Sequence, residues 1–468
     1  MNLINFTKED TILVIKEQKG HWKLFPWMFL YSLIPAIWIL VRTLVITQYM
    51  SASVETYAQW DYLNIMLEVI QETIVFPLFW WFGKIIINKK EHLNKLREVY
   101  LVTFFIYLIL IFILSLNVGN LVKVIGSNEG YEQRVFFTLQ LYSKIPEILT
   151  SVSTVVILNL KMYKGFLALL ISKLSFSIIF DFTLANNRVF ENAYIGLGIS
   201  TLITQILLFL TSLIMVARAF GFKRFFNLKT FNLKLSKLTF TKIFWLNVLS
   251  AFVFSTINNS FYLFMIAKNM NKAVESDAYW LSNTIIWSWV LIIPNVIFAI
   301  NKSIVSTSND LNYKKRIILI LQFQIIAIIS FLIALSIFIP TYHLFTLFLS
   351  NNDSSLSQRS WEIFSKLIGF FIFYVLATSI NAQFNGEGKN FILAIQAIIC
   401  NLLTFTPFII LYSIKKLEYD VEVITYMFGF SLFVSWIVST VFMTSYLMIE
   451  RKKFILSNYK VVNFEATK

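Results

Sequence analysis

Two carboxylates, Glu68 and Glu72, lie one helical turn apart in a stretch that is otherwise apolar enough to cross a lipid bilayer. The stretch reads DYLNIMLEVIQETIVFPLFWWFGK and carries Gln71 between the two acids. Like charges at this spacing repel each other, so we expect a proton or a bound cation between them. A charge at the middle of a bilayer costs roughly 2.5–3.5 kcal/mol even on the gentler insertion scales. The pair is therefore a candidate ion site.

The polar side chains around this pair share one helical face. Asp61 and Asn64 fall within the same arc of about 100° as the two acids. A second stretch repeats the arrangement within an arc of about 120°, with Gln140, Ser143, Lys144, Glu147, Thr150, Ser151 and Thr154. A third places Lys173, Ser177 and Asp181 at four-residue intervals. Three such faces predict helices that surround a water-filled cavity.

The composition identifies the class of protein that carries these polar helical faces. Hydrophobic residues make up 57% of the 468 residues and charged residues only 14%. A soluble chain carries about a quarter charged residues, so we predict an all-α polytopic membrane protein. The single cysteine, Cys400, allows no internal disulfide. The sequence has no Gly-Lys-Ser/Thr phosphate-binding loop, so an ATP-driven pump is not indicated.

Apolar runs of about 20 residues predict the membrane spans. Twelve runs meet this criterion and are called spans 1 to 12, near 25–48, 62–83, 98–116, 135–158, 166–184, 194–217, 243–267, 279–300, 317–339, 361–382, 391–413 and 423–447. Lys and Arg concentrate at the N-terminus, at the C-terminus and in the 2–3, 6–7 and 8–9 loops. Such residues favour the cytoplasmic side, so both termini are predicted to face the cytoplasm.

The two halves of the chain resemble each other in sequence. Leu93 and Asn94 follow span 2 as Leu311 and Asn312 follow span 8. Six spans per half place both halves in the same orientation, which predicts two parallel six-helix bundles. The chain is predicted to begin with a cytoplasmic or interfacial segment (1–24), which is followed by an N-lobe of spans 1–6 (25–219). A basic cytoplasmic linker (220–242) then leads to a C-lobe of spans 7–12 (243–450) and a cytoplasmic tail (451–468).

Polar residues in the second half are nearly free of charge. Span 7 offers Asn247, Asn258 and Asn259, and span 8 offers Asn283 beside Trp287. The ion chemistry is therefore assigned to the first half, and these neutral groups to the substrate cavity.

Several charges in the spans also have a structural interpretation. Lys144 and Glu147 could form an i,i+3 pair that only lowers the insertion cost. Arg42 and Lys366 lie near the outer ends of spans 1 and 10, where long side chains extend to the interface. Asp61 could cap span 2.

The chain resembles the multidrug and toxic compound extrusion (MATE) family at the segment LSFSIIFDFTLANNRVFENAYIGLGISTLITQ. Its Ser177 and Asp181 occupy the places of an Asn-x-x-x-Asp pattern in span 5, and Gly196, Gly198 and Thr201 follow in span 6. The segment QFNGEGKNFILAIQAIICNLLTFTPFIIL is similar to the family's span 10–11 connection, with Gly386, Gly388, Asn401 and Pro407. The superfamily that contains these exporters also contains flippases of lipid-linked oligosaccharides.

The resemblance implies an antiporter in which Na⁺ or H⁺ entry drives the export of organic cations, with the N-lobe cation site at Asp181. Family members often add an acid on span 1, where this chain has only Arg42. Glu68 and Glu72 are then expected to join Asp181 and Ser177 as cation-coupling residues, with Asp181 and Glu68 as the expected Na⁺ ligands. The expected cavity residues are Asn64, Gln71, Gln140, Lys144, Glu147, Lys173, Asn258, Asn259, Asn283 and Trp287.

Three functions compete at this point. The leading interpretation is a cation-coupled exporter of amphiphilic or cationic compounds, because acids in the cavity attract cations and aromatic walls accept flat apolar bodies. A flippase for anionic lipid-linked sugars would explain the intramembrane cations Arg42, Lys144 and Lys173 better. An intramembrane enzyme lacks support from any metal or nucleophile constellation. The expected setting is a monomer in the cell membrane, with lipids and a small-molecule substrate as partners, no nucleic acid, and no cofactor beyond the coupling ion.

Overall fold

The structure is a computed structural model that describes residues 18, 20–49, 54–85, 89–124, 130–184, 193–227, 246, 248–253, 273–308, 312–350, 352–414, 416 and 421–465. Within these ranges the regular elements are all helices. The predicted all-α class is therefore confirmed, and the helices follow the apolar runs in the sequence.

The first half contains all of its predicted spans. They are the helices Phe25–Tyr49, Val54–Ile85, Lys89–Leu116, Tyr131–Asn159, Tyr163–Leu184 and Ala193–Phe220, which are spans 1 to 6. Two short helices, Val118–Val124 and Phe222–Phe225, follow spans 3 and 6.

The second half begins with span 7, which lies largely outside the described residues. Span 8 consists of Ala273–Ile285, the π-helical segment Ile286–Val290 and Ile292–Thr307. Span 9 is Tyr313–Leu349, and span 12 is Val421–Glu465. Spans 10 and 11 are each divided, into Ser354–Ile368 with Phe371–Gly386 and into Asn390–Leu403 with Phe405–Ser413.

Several helices are longer than the predicted spans. Span 2 begins at Val54 rather than residue 62, and span 8 extends seven residues beyond its predicted end at 300. The hydropathy of the sequence marks only the part of a helix that is apolar, whereas backbone hydrogen bonds continue through polar flanks. Within the described residues, seven helices are long and apolar enough to cross a membrane, and spans 8 and 10 bring the count to nine when each bent pair is taken as one span.

Spans 8 and 10 are bent near their middle, by 52° and 51° respectively. In span 8 the backbone N–H of Leu291 donates to the carbonyl of Ile286, five residues earlier, at 3.0 Å. Pro294 follows in the first turn of the next helix, where its missing N–H costs little. A π segment of this kind is frequent at functional sites, and here it turns Trp287 toward span 10.

Span 4 forms the centre of the first bundle and packs against spans 2, 3 and 6. Gly198 lets span 6 come close, because a Cβ atom there would lie 2.8 Å from the Leu139 side chain. Span 5 completes the bundle by packing between spans 1 and 6.

Span 10 has the corresponding role in the second bundle, with contacts to spans 8, 9 and 12. Gly386 allows its close approach to span 8, because a Cβ atom there would lie 2.7 Å from the Val305 side chain and 2.9 Å from the Lys302 carbonyl oxygen. Each half of the chain thus forms a bundle of its own, and the predicted boundaries of the lobes remain predictions. Most of the predicted linker, 228–242, lies outside the described residues.

Candidate functional site

The polar face of span 4 binds its neighbours through side-chain hydrogen bonds. Gln140 Nε2 donates to Thr201 Oγ1 of span 6 at 3.2 Å. Gln71 Nε2 of span 2 donates to Ser151 Oγ at 3.0 Å. The helical stripe read from the sequence therefore faces the interior of the N-lobe, and it connects spans 2, 4 and 6.

Lys144 and Glu147 form an ion pair on this face, with Nζ and Oε2 2.7 Å apart. The side chains are 10% and 28% exposed, so the pair is largely removed from solvent. The i,i+3 pair expected from the sequence is therefore present. Lys173 of span 5 lies within electrostatic range of Glu147, and its Nζ is 5.3 Å from the ring centroid of Tyr31 in span 1.

Asp181 joins three spans of the N-lobe. Its Oδ1 accepts a hydrogen bond from Ser200 Oγ of span 6 at 2.5 Å. Its Oδ2 accepts one from Trp38 Nε1 of span 1 at 3.2 Å. The carboxylate is buried, with 9% of the residue exposed. Ser177, one turn earlier on the same helix, is half-buried.

Glu68 and Glu72 have different surroundings although they share a helical face. Glu68 is exposed and accepts a hydrogen bond from Asn64 Nδ2 at 3.0 Å. Glu72 is half-buried and lies within electrostatic range of Lys302 in span 8 and Tyr374 in span 10, both in the other lobe.

The predicted convergence of Glu68, Glu72 and Asp181 is wrong for this arrangement of the lobes. The described residues include no group of three or more His, Cys, Asp or Glu that could hold a metal ion. The spacing of polar residues in the sequence shows which of them share a face of one helix, but it does not reveal which neighbouring helix each residue contacts. The roles of these acids in cation coupling remain predictions.

The predicted cavity residues of the C-lobe are only partly described. Asn258, Asn259 and the side chains of Arg42 and Asp61 lie outside the described residues. Asn283 is half-buried in span 8. Trp287 packs edge-on against Phe371 and Tyr374 of span 10, with centroids 5.5 Å and 5.0 Å apart. Lys366, predicted to extend to the interface, forms an ion pair with Glu422 of span 12 at 2.7 Å.

Span 8 carries a charge near its C-terminal end, beyond the predicted limit at residue 300. The helix continues to Thr307 and so includes Lys302. Its Nζ lies 4.7 Å from the ring centroid of Phe76 and 6.0 Å from that of Phe79, both in span 2. The sequence offers a weak indication of this: Lys302 follows Asn295 by seven residues and so continues one polar face of the helix.

The two lobes meet along a surface that we call the inter-lobe seam. The N-lobe contributes the C-terminal ends of spans 2 and 4 and the residues before span 1. The C-lobe contributes span 8 and the turn between spans 10 and 11. At the seam, a Cβ atom on Gly83 would lie 2.4 Å from the backbone oxygen of Ser306. A Cβ atom on Gly388, where φ is +71°, would lie 2.5 Å from the Trp80 ring. Both positions therefore require glycine for the lobes to come this close.

Polar groups complete the seam. Asn159 Oδ1 accepts from Ser303 Oγ at 3.4 Å and from Ser306 Oγ at 3.5 Å. His21, which precedes span 1, has its Nδ1 3.2 Å from Ser303 Oγ. Burial, and then the nearby Lys161 ammonium, lower the pKa of His21 to about 3, so its ring is neutral at pH 7 and makes uncharged hydrogen bonds here.

Comparisons with known proteins agree on the fold. No protein-family model matches the sequence, and the search of curated proteins found no significant match. Solved structures do match along nearly the whole chain. One of them is a MOP superfamily transporter from Pyrococcus furiosus, which is 13% identical over 96% of this chain and 100% of its own, with a TM-score of 0.74. The reverse polarity of that transporter's binding pocket suggests a different function for it.

Two further structures extend the likeness. An outward-facing multidrug resistance MATE family transporter of the MOP superfamily is 12% identical over 96% of this chain and 99% of its own, with a TM-score of 0.73. The eukaryotic MATE transporter AtDTX14 is 13% identical over 94% of this chain and 99% of its own, with a TM-score of 0.70. The chain therefore has the fold of the MATE transporters, which in those structures consists of twelve helices in two bundles.

Proposed function

We propose, starting from the fold shared with the MATE transporters, that this chain is a secondary active antiporter. It exports amphiphilic or cationic organic compounds by alternating access, and the entry of a coupling cation drives the export. The observation that supports this most directly is Asp181, a buried carboxylate whose two oxygens accept hydrogen bonds from two different spans. A cation that binds there competes with both donors and so changes how spans 1, 5 and 6 pack.

The groups around Asp181 suit a proton better than Na⁺. Trp38 presents an indole N–H, which is a donor only and cannot ligate a metal ion. Ser200 Oγ lies at hydrogen-bonding distance from the carboxylate. This distance also suits a hydrogen bond between the serine hydroxyl and a protonated Asp181. We therefore propose H⁺ as the coupling ion, with Asp181 losing the Trp38 contact when it is protonated.

Alternating access explains the inter-lobe seam. The distribution of Lys and Arg in the sequence predicts that the C-terminal ends of spans 2, 4 and 8 face the cytoplasm. The seam then closes the transport path toward the cytoplasm, and the arrangement corresponds to an outward-facing state. The aromatic cluster of Trp287, Phe371 and Tyr374 supplies a flat apolar wall for the substrate.

Proteoliposomes with imposed gradients test this proposal. Asp181→Asn should reduce efflux of a fluorescent organic cation driven by a pH gradient by roughly tenfold or more. Binding of the same dye should persist, because the dye does not contact the proton site. Asp353→Asn is the matched control, since it neutralises an acid that caps span 10 outside the membrane, and Asn caps a helix equally well.

Normal gradient-driven efflux by Asp181→Asn would exclude this carboxylate from coupling. A Na⁺ gradient that drives efflux at constant pH would exclude the assignment to H⁺. A chain that moves the dye under neither gradient is not a cation-coupled exporter of this substrate class.

A second candidate function is a flippase for an anionic lipid-linked substrate. Lys144, Lys173 and Lys302 all lie within spans, and this favours a negatively charged group in the path. The reverse pocket polarity of the similar Pyrococcus furiosus transporter is consistent with such a difference among proteins of this fold.

The two functions predict opposite outcomes for one variant. If the substrate is anionic, Lys173→Met should reduce the translocation of a fluorescent polyprenyl phosphate by roughly tenfold, and the native protein should leave the organic cation inside the vesicle. If the substrate is cationic, Lys173→Met should not reduce dye efflux. Lys164→Met is the control in both assays, because Lys164 is an exposed cation in the first turn of span 5.

A further inference from the structure

Lys302 contacts the opposite lobe with its charged end. It lies on the second helix of span 8, and its ammonium faces two aromatic rings of span 2, with the Phe76 centroid 4.7 Å away. Glu72 precedes Phe76 by one helical turn and therefore lies on the same face of span 2. The C-lobe thus presents a cation to an N-lobe site made of one carboxylate and two rings.

The position of this contact links it to closure of the seam. Ser306 follows Lys302 by one turn of span 8, and Gly83 follows Phe79 by one turn of span 2. The two backbones approach closely here, because a Cβ atom on Gly83 would lie 2.4 Å from the backbone oxygen of Ser306. Span 2 and span 8 therefore cannot separate at the seam without withdrawing the Lys302 ammonium from Phe76.

We infer that Lys302 and Glu72 form an inter-lobe charge contact that stabilises the closed seam, and that neutralising Glu72 weakens it. This rests on the proposed function, which requires that a bound cation change the relative energies of the two lobe arrangements. A partly desolvated ammonium needs either a counter-charge or an aromatic face. When Glu72 is neutral, the two rings are the described groups that still hold the ammonium. The open arrangement, in which Lys302 reaches water, then gains in population.

Other titratable groups lie near the contact between Lys302 and span 2. Glu68 lies one turn before Glu72 on span 2, and Tyr374 faces Glu72 from span 10. His21 belongs to another part of the seam, against Ser303 and Thr307. Substitution of Glu72 is therefore the test of choice, because it changes one of these groups and leaves the others as they are.

Distances between the lobes give the test, with no need for a substrate or a gradient. Spin labels on cysteines at Lys164 and Lys452 report on the two sides of the seam, in a background with Cys400→Ser. Lys302→Met and Glu72→Gln should each raise the ratio of open to closed seam by about tenfold, the effect of losing one desolvated cation contact. The double variant should be less open than either single variant, because neither charge is then left unpaired.

Two further variants separate charge from folding. Lys302→Arg keeps a cation that stacks on aromatic rings and should retain the native distance distribution. Lys366→Met removes a cation that pairs with Glu422 away from the seam and should also leave it unchanged. Native distances in both single variants, or effects that simply add in the double variant, would overturn the inference. Such a result would not affect the assignment of Asp181, which the flux assay tests separately.

Discussion

Replacing Gly83 with leucine is expected to keep the protein folded but to prevent the two lobes from closing at the seam. The first side-chain carbon would lie 2.4 Å from the backbone oxygen of Ser306 and 2.7 Å from its carbonyl carbon. Both atoms belong to a helix backbone, which cannot rotate away as a side chain can. Overpacking of this kind costs about 1–3 kcal/mol, enough to shift a two-state ratio by about 5- to 150-fold.

Transport should then fall to background, because a protein that cannot close one side cannot alternate. The measurement combines dye efflux with the lobe distances from labels at Lys164 and Lys452. Gly130→Leu is the matched control, since a Cβ atom at Gly130 has no neighbour within 4 Å. Unchanged distances and efflux in Gly83→Leu would mean that the closed seam is not a required state of the transport cycle.

The sequence predicts the helices well because the membrane imposes a single requirement on them. Backbone groups in hydrocarbon must be paired within the segment, so a long apolar run can hardly form anything but a helix. The stripe on span 4 could be predicted for a similar reason, since polar groups avoid lipid. Gln140 and Ser151 accordingly contact the neighbouring spans of the N-lobe.

Contacts between distant parts of the chain could not be predicted in this way. The donors to Asp181 are Trp38 and Ser200, neither of which belongs to the span 5 pattern that singles out the acid. The predicted span 8 ends before Lys302, because a basic residue at the end of an apolar run is normally a loop residue. The contact between Lys302 and Phe76 depends on how the two lobes dock. The spacing of polar residues along a single helix contains no information about that docking.

The fold also depends on a buried charge network that the sequence does not reveal. Arg316, at the start of span 9, is 1% exposed and binds Glu387 at the end of span 10 and Glu450 of span 12. Lys389 pairs with Glu387 at 2.6 Å. The network therefore joins three spans at one end of the C-lobe, and it flanks Gly388, the residue that receives Trp80 at the seam.

Arg316→Met should be the most destabilising substitution among the charged residues of the C-lobe. It leaves two partly buried carboxylates with Lys389 as their remaining described cation, and breaking a buried ion pair in this way costs about 3–5 kcal/mol. Thermal unfolding in detergent measures the effect as a fall in Tm. Arg359→Met is the matched control. Its side chain is 23% exposed and those of its partners Glu362 and Glu422 are 43% and 40% exposed, and exposed pairs contribute about 1 kcal/mol or less.

Removing the partner charges together distinguishes a charge effect from a packing effect. In the triple variant with Arg316→Met, Glu387→Gln and Glu450→Gln, no carboxylate remains unpaired, so much of the lost Tm should return. A triple variant that unfolds as early as Arg316→Met would assign the loss to the packing of the arginine side chain. Equal falls in Tm for Arg316→Met and Arg359→Met would contradict the prediction, because burial is what separates the two pairs. If the network also positions the span 10–11 turn, Arg316→Met should open the seam in the surviving folded protein, since Trp80 would lose the surface formed by Gly388.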